Sequence, residues 1–385
     1  MKNQNRKIPK IRFNRFNGAW TENRIADIVK IFAGGDVDKV KLKESGKYPV
    51  IANALTNKGI VGFYEDYKVK APAVTVTGRG DVGYAVARHE NFTPIVRLLT
   101  LQSEKIDVDY LENQINSMRI LNESTGVPQL TAPQLGNYKV YHPKIEEQSA
   151  IGTLFRTFDD LLSSYKDNLT NYQSLKATML SKMFPKAGHT FPEIRLDGFE
   201  DEWEVKKLSE VSEVYDGTHQ TPNYTESGVK FLSVENISTL ESEKYISEED
   251  FEKDFKVFPE FGDVLMTRIG SIGVPNIVKT NEKIAFYVSL ALLKPKKKTN
   301  SLFMKSSIES NPFQEELWKK TLHIAFPKKI NKNDISRSTI KCPSYEEQQA
   351  IGAYFSNLDN FINSHQEKIS QLETLKKKLL QDMFI

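Results

Sequence analysis

The segment 143–152 reads Pro-Lys-Ile-Glu-Glu-Gln-Ser-Ala-Ile-Gly, and the segment 343–352 reads Pro-Ser-Tyr-Glu-Glu-Gln-Gln-Ala-Ile-Gly. The match continues without a gap to Met183-Phe184 in the first copy and to Met383-Phe384 in the second, at a constant shift of 200 residues. Two copies of so long a segment are too few to stack into a solenoid. They predict two similar halves related by a pseudo-twofold axis.

A second, shorter repeat opens each half of the chain. Pro9-Lys10-Ile11-Arg12 and Trp20 return as Pro192-Glu193-Ile194-Arg195 and Trp203, shifted by 183 residues. Because the two shifts differ, the repeats enclose middle segments of unequal length. The predicted order is a variable domain, a long helix, a second variable domain and a second long helix.

Both copies of the long repeat are predicted to be helices that pack along an apolar seam, since apolar residues recur in steps of four and three over about five heptads. Lys176 and Lys376 interrupt the seams at the same position and are expected to pair with acidic residues at a partner interface. The shared interruption favours packing of the two helices on each other, while pairing between two chains or with a partner helix stays open. The predicted interface residues are Ile151, Phe155, Phe158, Leu162, Leu169, Ile351, Phe355, Leu358, Ile362 and Ile369.

The ends of these helices are marked by residues that start and stop helices. Ser344 and Glu347 have the spacing of a capping box, whereas Lys144 denies the first copy that cap. Pro185 and Gly188 end the first helix. About 37 helical residues span on the order of 55 Å, the length of a spacer between two domains.

Positive charge is concentrated in the variable middles and not in the helices. Residues 1–145 hold 22 basic and 14 acidic residues, a net charge of +8, whereas residues 146–186 are neutral. In the second middle, residues 187–263 carry −13 and residues 264–341 carry +10. This pattern predicts two separate surfaces for a polyanion, with the acidic stretch facing away from it. Solvated charge that binds nothing is the alternative.

Each middle is predicted to be a mixed α/β module. The predicted helices cover 109–118 and 312–320, and the predicted strands cover 49–52, 73–77, 95–99, 231–234, 263–267 and 288–293.

A glycine turn follows a strand that ends in threonine in both middles. The segment Thr77-Gly78-Arg79-Gly80 corresponds to Thr267-Arg268-Ile269-Gly270, and Ser271 continues the second turn. Glycine permits close approach of the backbone, and an adjacent arginine can bond a phosphate or a guanine edge. A plain hairpin is the alternative. Further polar or basic loop residues expected to face nucleic acid are Thr125, Gln129, Thr218, His219, Lys328 and Lys329.

Signatures of catalysis, metal binding and membrane insertion are missing from the sequence. No phosphate-binding loop, metalloprotease helix or serine nucleophile elbow occurs. The single cysteine, Cys342, excludes a disulfide framework, and the six histidines have no metal-ligand spacing. Without a signal peptide or an apolar stretch of membrane length, we expect a cytoplasmic protein that binds no metal and contacts no membrane.

Taken together, these residues resemble the specificity (S) subunit of type I restriction-modification enzymes, over nearly the whole chain. The resemblance is carried by Trp20-x4-Ile25 and Trp203-x4-Leu208, by the two Pro-x-x-Glu-Glu-Gln-x-Ala-Ile-Gly helix starts, and by the two Met-Phe helix ends.

The resemblance implies an α+β protein in which two mixed α/β target recognition domains are separated by two long helices that form an antiparallel coiled coil. It implies the segments 1–145 and 187–342 as the recognition domains, with 146–186 as the central helix and 343–385 as the C-terminal helix. Each domain would read one half of a bipartite site in double-stranded DNA, and the helices would fix the gap.

The resemblance also implies partners that carry the chemistry. Two modification subunits would methylate adenine with S-adenosylmethionine, and two restriction subunits would use ATP and Mg²⁺. No cofactor is expected in this chain. Three rival hypotheses stay open: a nuclease or methyltransferase in its own right, a protein-binding scaffold, and a DNA-binding regulator that acts alone.

Overall fold

The chain folds into two compact units. The structure, a computed structural model, describes residues 8–118, 120 and 127–385. The first unit comprises the described residues up to Lys166 together with Glu367–Ile385, and the second comprises Asp167–Gln366. Each unit therefore holds the start of one long helix and the end of the other. The predicted segment 343–385 contains the second long helix, Tyr345–Met383, whole, and the predicted segment 146–186 contains the first, Ile145–Lys182, except for its first residue.

The first part of the chain contains nine strands and four helices in its described residues. The strands are β1 (Thr21–Arg24), β2 (Lys30–Ala33), β3 (Tyr48–Ile51), β4 (Ile60–Tyr64), β5 (Ala73–Thr77), β6 (Ala85–Arg88), β7 (Thr93–Pro94), β8 (Leu98–Gln102) and β9 (Lys139–His142). The helices are α1 (Ile25–Ile28), α2 (Val108–Ser117), α3 (Ala132–Gly136) and the long α4 (Ile145–Lys182).

The rest of the chain repeats this series. The strands are β10 (Glu204–Lys207), β11 (Ser212–Asp216), β12 (Val229–Leu232), β13 (Tyr245–Ile246), β14 (Val264–Thr267), β15 (Pro275–Ile277), β16 (Ile284–Phe286), β17 (Leu290–Pro295) and β18 (Thr339–Cys342). The helices are α5 (Leu208–Val211), α6 (Glu248–Asp254), α7 (Ser301–Glu309), α8 (Asn311–Lys320), α9 (Lys332–Ser336) and the long α10 (Tyr345–Met383).

The sheets of the two units correspond one to one. The first unit has an antiparallel sheet of order β2-β8-β5-β6, a sheet β4-β3-β7 whose β3 and β7 are parallel, and a pair β1-β9. The second unit has β11-β17-β14-β15, then β13-β12-β16 with β12 and β16 parallel, and the pair β10-β18. Two sequences that share little outside the repeats thus form the same domain.

Three predicted strands, 49–52, 73–77 and 263–267, agree with β3, β5 and β14 within one residue. The predicted strand 231–234 runs past the end of β12 at Leu232, and the predicted strand 288–293 begins before β17 does at Leu290. Both predicted helices agree with α2 and α8 within one residue. The predicted strand 95–99 is wrong at its start, because Arg97 has a φ of +70° and places a turn there. Strand β8 therefore begins only at Leu98.

Each unit is built around a core to which both long helices contribute. In the first core the Phe384 ring, near the end of α10, lies 5.4 Å from Tyr110 of α2 and 5.7 Å from Phe155 of α4. In the second core the Phe184 ring, just past the end of α4, lies 5.9 Å from Phe303 of α7 and 5.8 Å from Phe355 of α10. The repeated Met-Phe pairs are thus core anchors.

The glutamates of the helix-start motif are held by arginines of the opening motif. Arg12 donates to both oxygens of Glu147 over 2.7 and 2.6 Å, and Arg195 does the same to Glu347 over 2.8 and 2.7 Å. Both carboxylates are almost fully buried. The predicted capping box at Ser344 forms only in part: its hydroxyl accepts the Glu347 N–H over 3.2 Å, but the carboxylate is occupied by Arg195.

The glutamine and glycine of the same motif fix the neighbouring helix. The Gln148 side chain accepts the Asp107 N–H over 2.9 Å and donates to the Pro143 carbonyl over 2.8 Å. Asp107 caps α2 through the Tyr110 N–H, and a Cβ on Gly152 would lie only 2.6 Å from the Asp107 carboxylate.

The second unit repeats this arrangement with different residues from its middle. Gln348 accepts the Asn300 N–H over 3.1 Å, Asn300 caps α7, and a Cβ on Gly352 would lie 2.8 Å from the Asn300 side chain.

The long helices run antiparallel to each other in both units. In the first unit Lys166 bonds Glu373 over 2.7 Å and Lys376 pairs with Asp159, so positions rise along α4 as they fall along α10. In the second unit the Tyr172 ring stacks on Phe361 at 5.4 Å. The predicted pairing of the helices within one chain is confirmed.

We expect Arg195→Met to lower the free energy of unfolding of the second unit by about 3–5 kcal/mol, because it leaves the buried Glu347 carboxylate without a partner. Urea denaturation measures this loss, and adding Glu347→Gln should restore part of it. Lys186→Met is the matched control, since its pair with Glu193 is exposed and is expected to contribute little to stability. Equal losses in Arg195→Met and Lys186→Met would show that the buried pair does not hold the helix start.

Candidate nucleic-acid interface

The predicted glycine turn of the first unit connects β5 to β6. Gly80 and Gly83 have φ values of +74° and +87°, which only glycine adopts without strain. The Gly83 N–H donates to the Thr77 carbonyl over 2.9 Å. The Thr77 hydroxyl donates to the Asp81 carbonyl over 2.5 Å and accepts the Tyr84 N–H over 3.0 Å. Thr77, the last residue of β5, thus closes the turn through its carbonyl and its hydroxyl.

The second unit forms the same turn between β14 and β15. Gly270 and Gly273 have φ values of +80° and +83°, and the Gly273 N–H donates to the Thr267 carbonyl over 2.9 Å. The Thr267 hydroxyl donates to the Ser271 carbonyl and accepts the Val274 N–H over 2.9 Å. Both turns connect the two strands of a hairpin, and the same set of hydrogen bonds closes each hairpin.

A second loop lies beside each turn and brings predicted residues together. In the first unit the Gly80 N–H donates to the Pro128 carbonyl over 3.0 Å, and Arg79 forms a β-bridge with Gln129. In the second unit the Gly270 N–H donates to the Lys328 carbonyl over 2.8 Å, and Ile269 forms a β-bridge with Lys329. Each paired loop therefore presents a turn glycine and at least one exposed polar or basic side chain on one surface.

Asn53 is a functional candidate that the sequence analysis missed. Its side-chain oxygen accepts the N–H groups of Gly78 and Arg79 over 2.6 and 3.2 Å, and its amide donates to the Arg79 carbonyl over 2.7 Å. Asn53 thereby fixes the backbone that carries Arg79. No sequence signal pairs Asn53 with a turn 25 residues further along the chain.

The two arginines of the turns differ in their surroundings. Arg79 is half-buried, and its guanidinium has no hydrogen bond to another residue in the described ranges. Arg268 is only 7% exposed; it donates to the Ile330 carbonyl over 3.1 Å and pairs with Asp216. Arg268 occupies the position of Gly78, and Ile269 that of Arg79. We therefore expect Arg268 to act through the loops that it holds, because its own guanidinium has little free surface.

The remaining predicted residues divide by exposure. Thr77, Gly78 and Thr267 are buried within the turns, and Thr218 is half-buried. Gly80, Gln129, His219, Gly270, Ser271, Lys328 and Lys329 are exposed. Thr125 lies outside the described residues. His219 lies 3.9 Å from Asp216, and Asp216 also pairs with Arg268. The 216–219 loop is therefore linked to the second turn through Arg268.

The predicted helix-interface residues lie in or beside the cores of their own units. Ile151 and Phe155 belong to the first core, and Ile351, Phe355 and Leu358 to the second. Phe158, Leu162 and Ile369 are buried, and Leu169 and Ile362 are half-buried.

Lys176 and Lys376, which interrupt the seam, form ion pairs with acidic residues of this chain. The expectation that they pair with acidic residues at a partner interface is therefore wrong. Lys176 lies 2.6 Å from Asp359 and 2.8 Å from Glu309, and Lys376 pairs with Asp159. Each lysine is therefore neutralised by the antiparallel helix at the equivalent position.

The first unit has an unbalanced version of this charge cluster. Counted from the helix caps Asp107 and Asn300, Glu112 of α2 takes the position of Lys305 of α7. Lys305 bonds Asp359 over 2.6 Å, whereas Glu112 shares its surroundings with the like charge of Asp159. Burial, followed by the Asp159 charge, raises the pKa of Glu112 to about 7.

The described part of the chain holds neither a metal cluster nor a membrane-spanning helix. There, no three His, Cys, Asp or Glu side chains gather as a metal site would require. Over the same residues, no helix has both the length and the apolar composition needed to span a bilayer.

A family model described as the type I restriction modification DNA specificity domain matches residues 17–171 and 200–374. The chain belongs to the type I restriction-modification specificity subunits. The two matched stretches are its tandem DNA specificity domains, and each contains one of the glycine turns.

Relatives of this specificity subunit match it over different lengths. The type I restriction enzyme MjaVIII specificity subunit of Methanocaldococcus jannaschii is 23% identical over 395 residues, which cover 94% of this chain and 91% of that protein. The putative type I specificity subunit S.MpnORF507P of Mycoplasma pneumoniae is 26% identical over 133 residues, 33% of this chain and 37% of that one.

Solved structures show the same fold for this specificity subunit. The crystal structure of the S subunit of the type I restriction-modification system from M. genitalium superposes with a TM-score of 0.71 at 16% identity, covering 98% of this chain and 99% of that chain. A chain from a study of complex assembly and conformational transition in the type I system superposes with a TM-score of 0.52 at 15% identity, covering 94% and 96%.

We expect Glu112→Gln to flatten the pH dependence of stability. The folded protein holds the Glu112 proton up to a pH of about 7, while the unfolded chain releases it near 4.5, so stability falls as pH rises between these values. Above pH 7 the glutamine variant should be more stable than the wild type by about 1–2 kcal/mol. Urea denaturation at pH 5 and pH 8 measures the difference, with the exposed Glu104→Gln as control. An unchanged pH slope in Glu112→Gln would contradict the assignment.

Proposed function

We propose that this specificity subunit reads a bipartite site in double-stranded DNA, one half-site for each domain, and carries no catalytic activity itself. The observation that carries the proposal is the pair of identically closed glycine turns, one in each unit, each beside a loop with exposed polar or basic side chains. Both domains form this glycine turn although their middle segments otherwise share little sequence. We therefore infer that the turn serves the function of each domain.

The chemistry of the turns suits contact with a nucleic acid. A Cβ placed on Gly80 or Gly270 would meet no atom within 4 Å, so both turns are open to a large partner on that side. Arg79 and Gln129 in the first unit can donate to guanine or adenine edges, and Lys328 and Lys329 in the second can bind phosphates. The two domains thus offer different donors and would read different bases.

We further propose that the helices hold the gap between the half-sites and bind the methyltransferase subunits. Leu161, Leu175 and Phe361 support this, because they remain 43%, 38% and 52% exposed within their units although they lie on long helices. Apolar side chains that stay exposed on long helices are candidates for covering by a protein partner. Two modification and two restriction subunits would supply adenine methylation with S-adenosylmethionine and cleavage with ATP and Mg²⁺.

The experiment is methylation mapping in a host that carries this chain and its neighbouring methyltransferase gene. We expect a split adenine motif that appears only with this chain. Arg79→Ala should relax or abolish one half-site, and the double substitution Lys328→Ala with Lys329→Ala should weaken methylation through the other.

The same assay includes control variants and distinguishes the rival hypotheses. Lys105→Ala and Lys253→Ala remove exposed lysines remote in sequence from the turns and should leave the motif unchanged. A chain-independent motif would favour the scaffold hypothesis, and DNA binding by the isolated chain that does not weaken steeply with salt would argue against lysine and arginine contacts. Specific binding without any methylation would favour the regulator.

A further inference from the structure

The loop between α8 and α9 of the second unit exposes large apolar side chains at its tip. Within residues 321–329, which read Thr-Leu-His-Ile-Ala-Phe-Pro-Lys-Lys, the side chains of Ile324 and Phe326 are fully exposed. Burial of such side chains is normally favourable by about 1.5–3 kcal/mol each. Two neighbouring residues of this kind on a loop predict a partner that covers them.

The base of this loop is rigid and belongs to the candidate DNA surface. The Leu322 N–H donates to the Lys329 carbonyl over 2.8 Å, which closes the loop. The Gly270 N–H donates to the Lys328 carbonyl, so the loop is bonded directly to the second glycine turn. The buried Thr321 donates to the Leu317 carbonyl over 2.8 Å and ties the loop to α8. The apolar tip is therefore held in place beside the turn.

Aromatic and basic side chains form a cluster beside the tip. The Trp318 and His323 rings lie 4.0 Å apart, and the Lys328 ammonium lies 4.9 Å from the Trp318 ring. Trp318 is 59% exposed, and Lys319, Lys328 and Lys329 are exposed around it. A partner that carries negative charge outside and flat apolar surfaces inside fits this combination, and duplex DNA has both.

We propose that the 321–329 loop is an apolar wedge that enters the base stack at the second half-site. Phe326, with Ile324 beside it, contacts the faces of the bases, while Lys328 and Lys329 contact the flanking phosphates. The wedge partly unstacks one base step, so part of the specificity at this half-site comes from how easily that step deforms. The inference rests on the proposed function and assigns the mode of reading.

The sequence of the first unit differs at the corresponding place. Its corresponding loop reads Arg-Ile-Leu-Asn-Glu-Ser-Thr-Gly-Val-Pro over residues 119–128 and contains no aromatic residue. Its Pro128 carbonyl accepts the Gly80 N–H in the way that the Lys328 carbonyl accepts that of Gly270. The two loops thus differ in sequence, and the aromatic wedge is proposed for the second half-site.

The test uses the complex of this chain with its methyltransferase subunits and a duplex that carries the mapped motif. The fluorescent base 2-aminopurine, whose emission rises when it unstacks, is placed in turn at each position of both half-sites other than the adenine to be methylated and its two neighbours, because methyltransferases flip their target base out of the stack. We expect a rise at one step of the second half-site and none in the first. Phe326→Ala should abolish that rise and weaken binding about 5- to 150-fold, the range for loss of one stacking contact, while Phe326→Leu should retain part of both.

Control variants and alternative outcomes decide between the possibilities. Phe261→Ala removes another exposed phenylalanine of the second unit and should change neither readout. Specific binding by the wild type with no change in Phe326→Ala would overturn the wedge and leave the proposed function standing. Loss of the methyltransferase subunits from Phe326→Ala, with unchanged affinity of the remaining complex, would make the loop a protein contact instead. A wild-type complex that binds no specific DNA would overturn both proposals.

Discussion

Each core of this protein is completed by the end of the helix that starts in the other unit, and the rest of the structure depends on this requirement. Phe384 fills the first core and Phe184 fills the second, each between a tryptophan of the opening motif and the start of the opposite long helix. A helix that starts in one core and ends in the other has to run antiparallel to its partner. The coiled-coil seam is therefore as much a product of the two cores as of its own heptads.

The candidate DNA surface shows how one backbone supports two chemistries. Both glycine turns have similar φ values and the same threonine closure, yet the residue before the first glycine of positive φ is Arg79 in one and Ile269 in the other. In the second unit the arginine has moved one position inward and holds the 216–219 loop through Asp216. The backbone of the turn is thus shared by both domains, whereas the side chains around it differ between them.

Local patterns in the sequence were sufficient for the elements that depend on local contacts. The heptads located both long helices, and the strand ending in threonine followed by glycines located both turns, because period and turn chemistry act over a few residues. The fold class followed from the repeat and from the family resemblance together.

Contacts between distant residues could not be predicted in this way. Nothing in the order of residues states that Glu147 meets Arg12 or that Asn53 holds the Arg79 backbone. The similar spacing of Arg79 and Arg268 also concealed their different burial, since burial of Arg268 depends on Asp216, 52 residues earlier in the chain. The capping box at Ser344 was half correct for the same reason: a remote arginine competes for Glu347 more strongly than the local backbone does.

The motif contacts also bear on how new specificities arise. Glu347 bonds Arg195, Gln348 bonds Pro343, and Phe184 packs on Phe355, so several contacts that hold the helices are made between repeated segments. To these contacts the second middle adds the capping side chain of Asn300 and the aromatic ring of Phe303, together with the apolar residues of the core. Genes of this kind can therefore exchange their middles by recombination, or let them drift, without redesigning the framework that carries them.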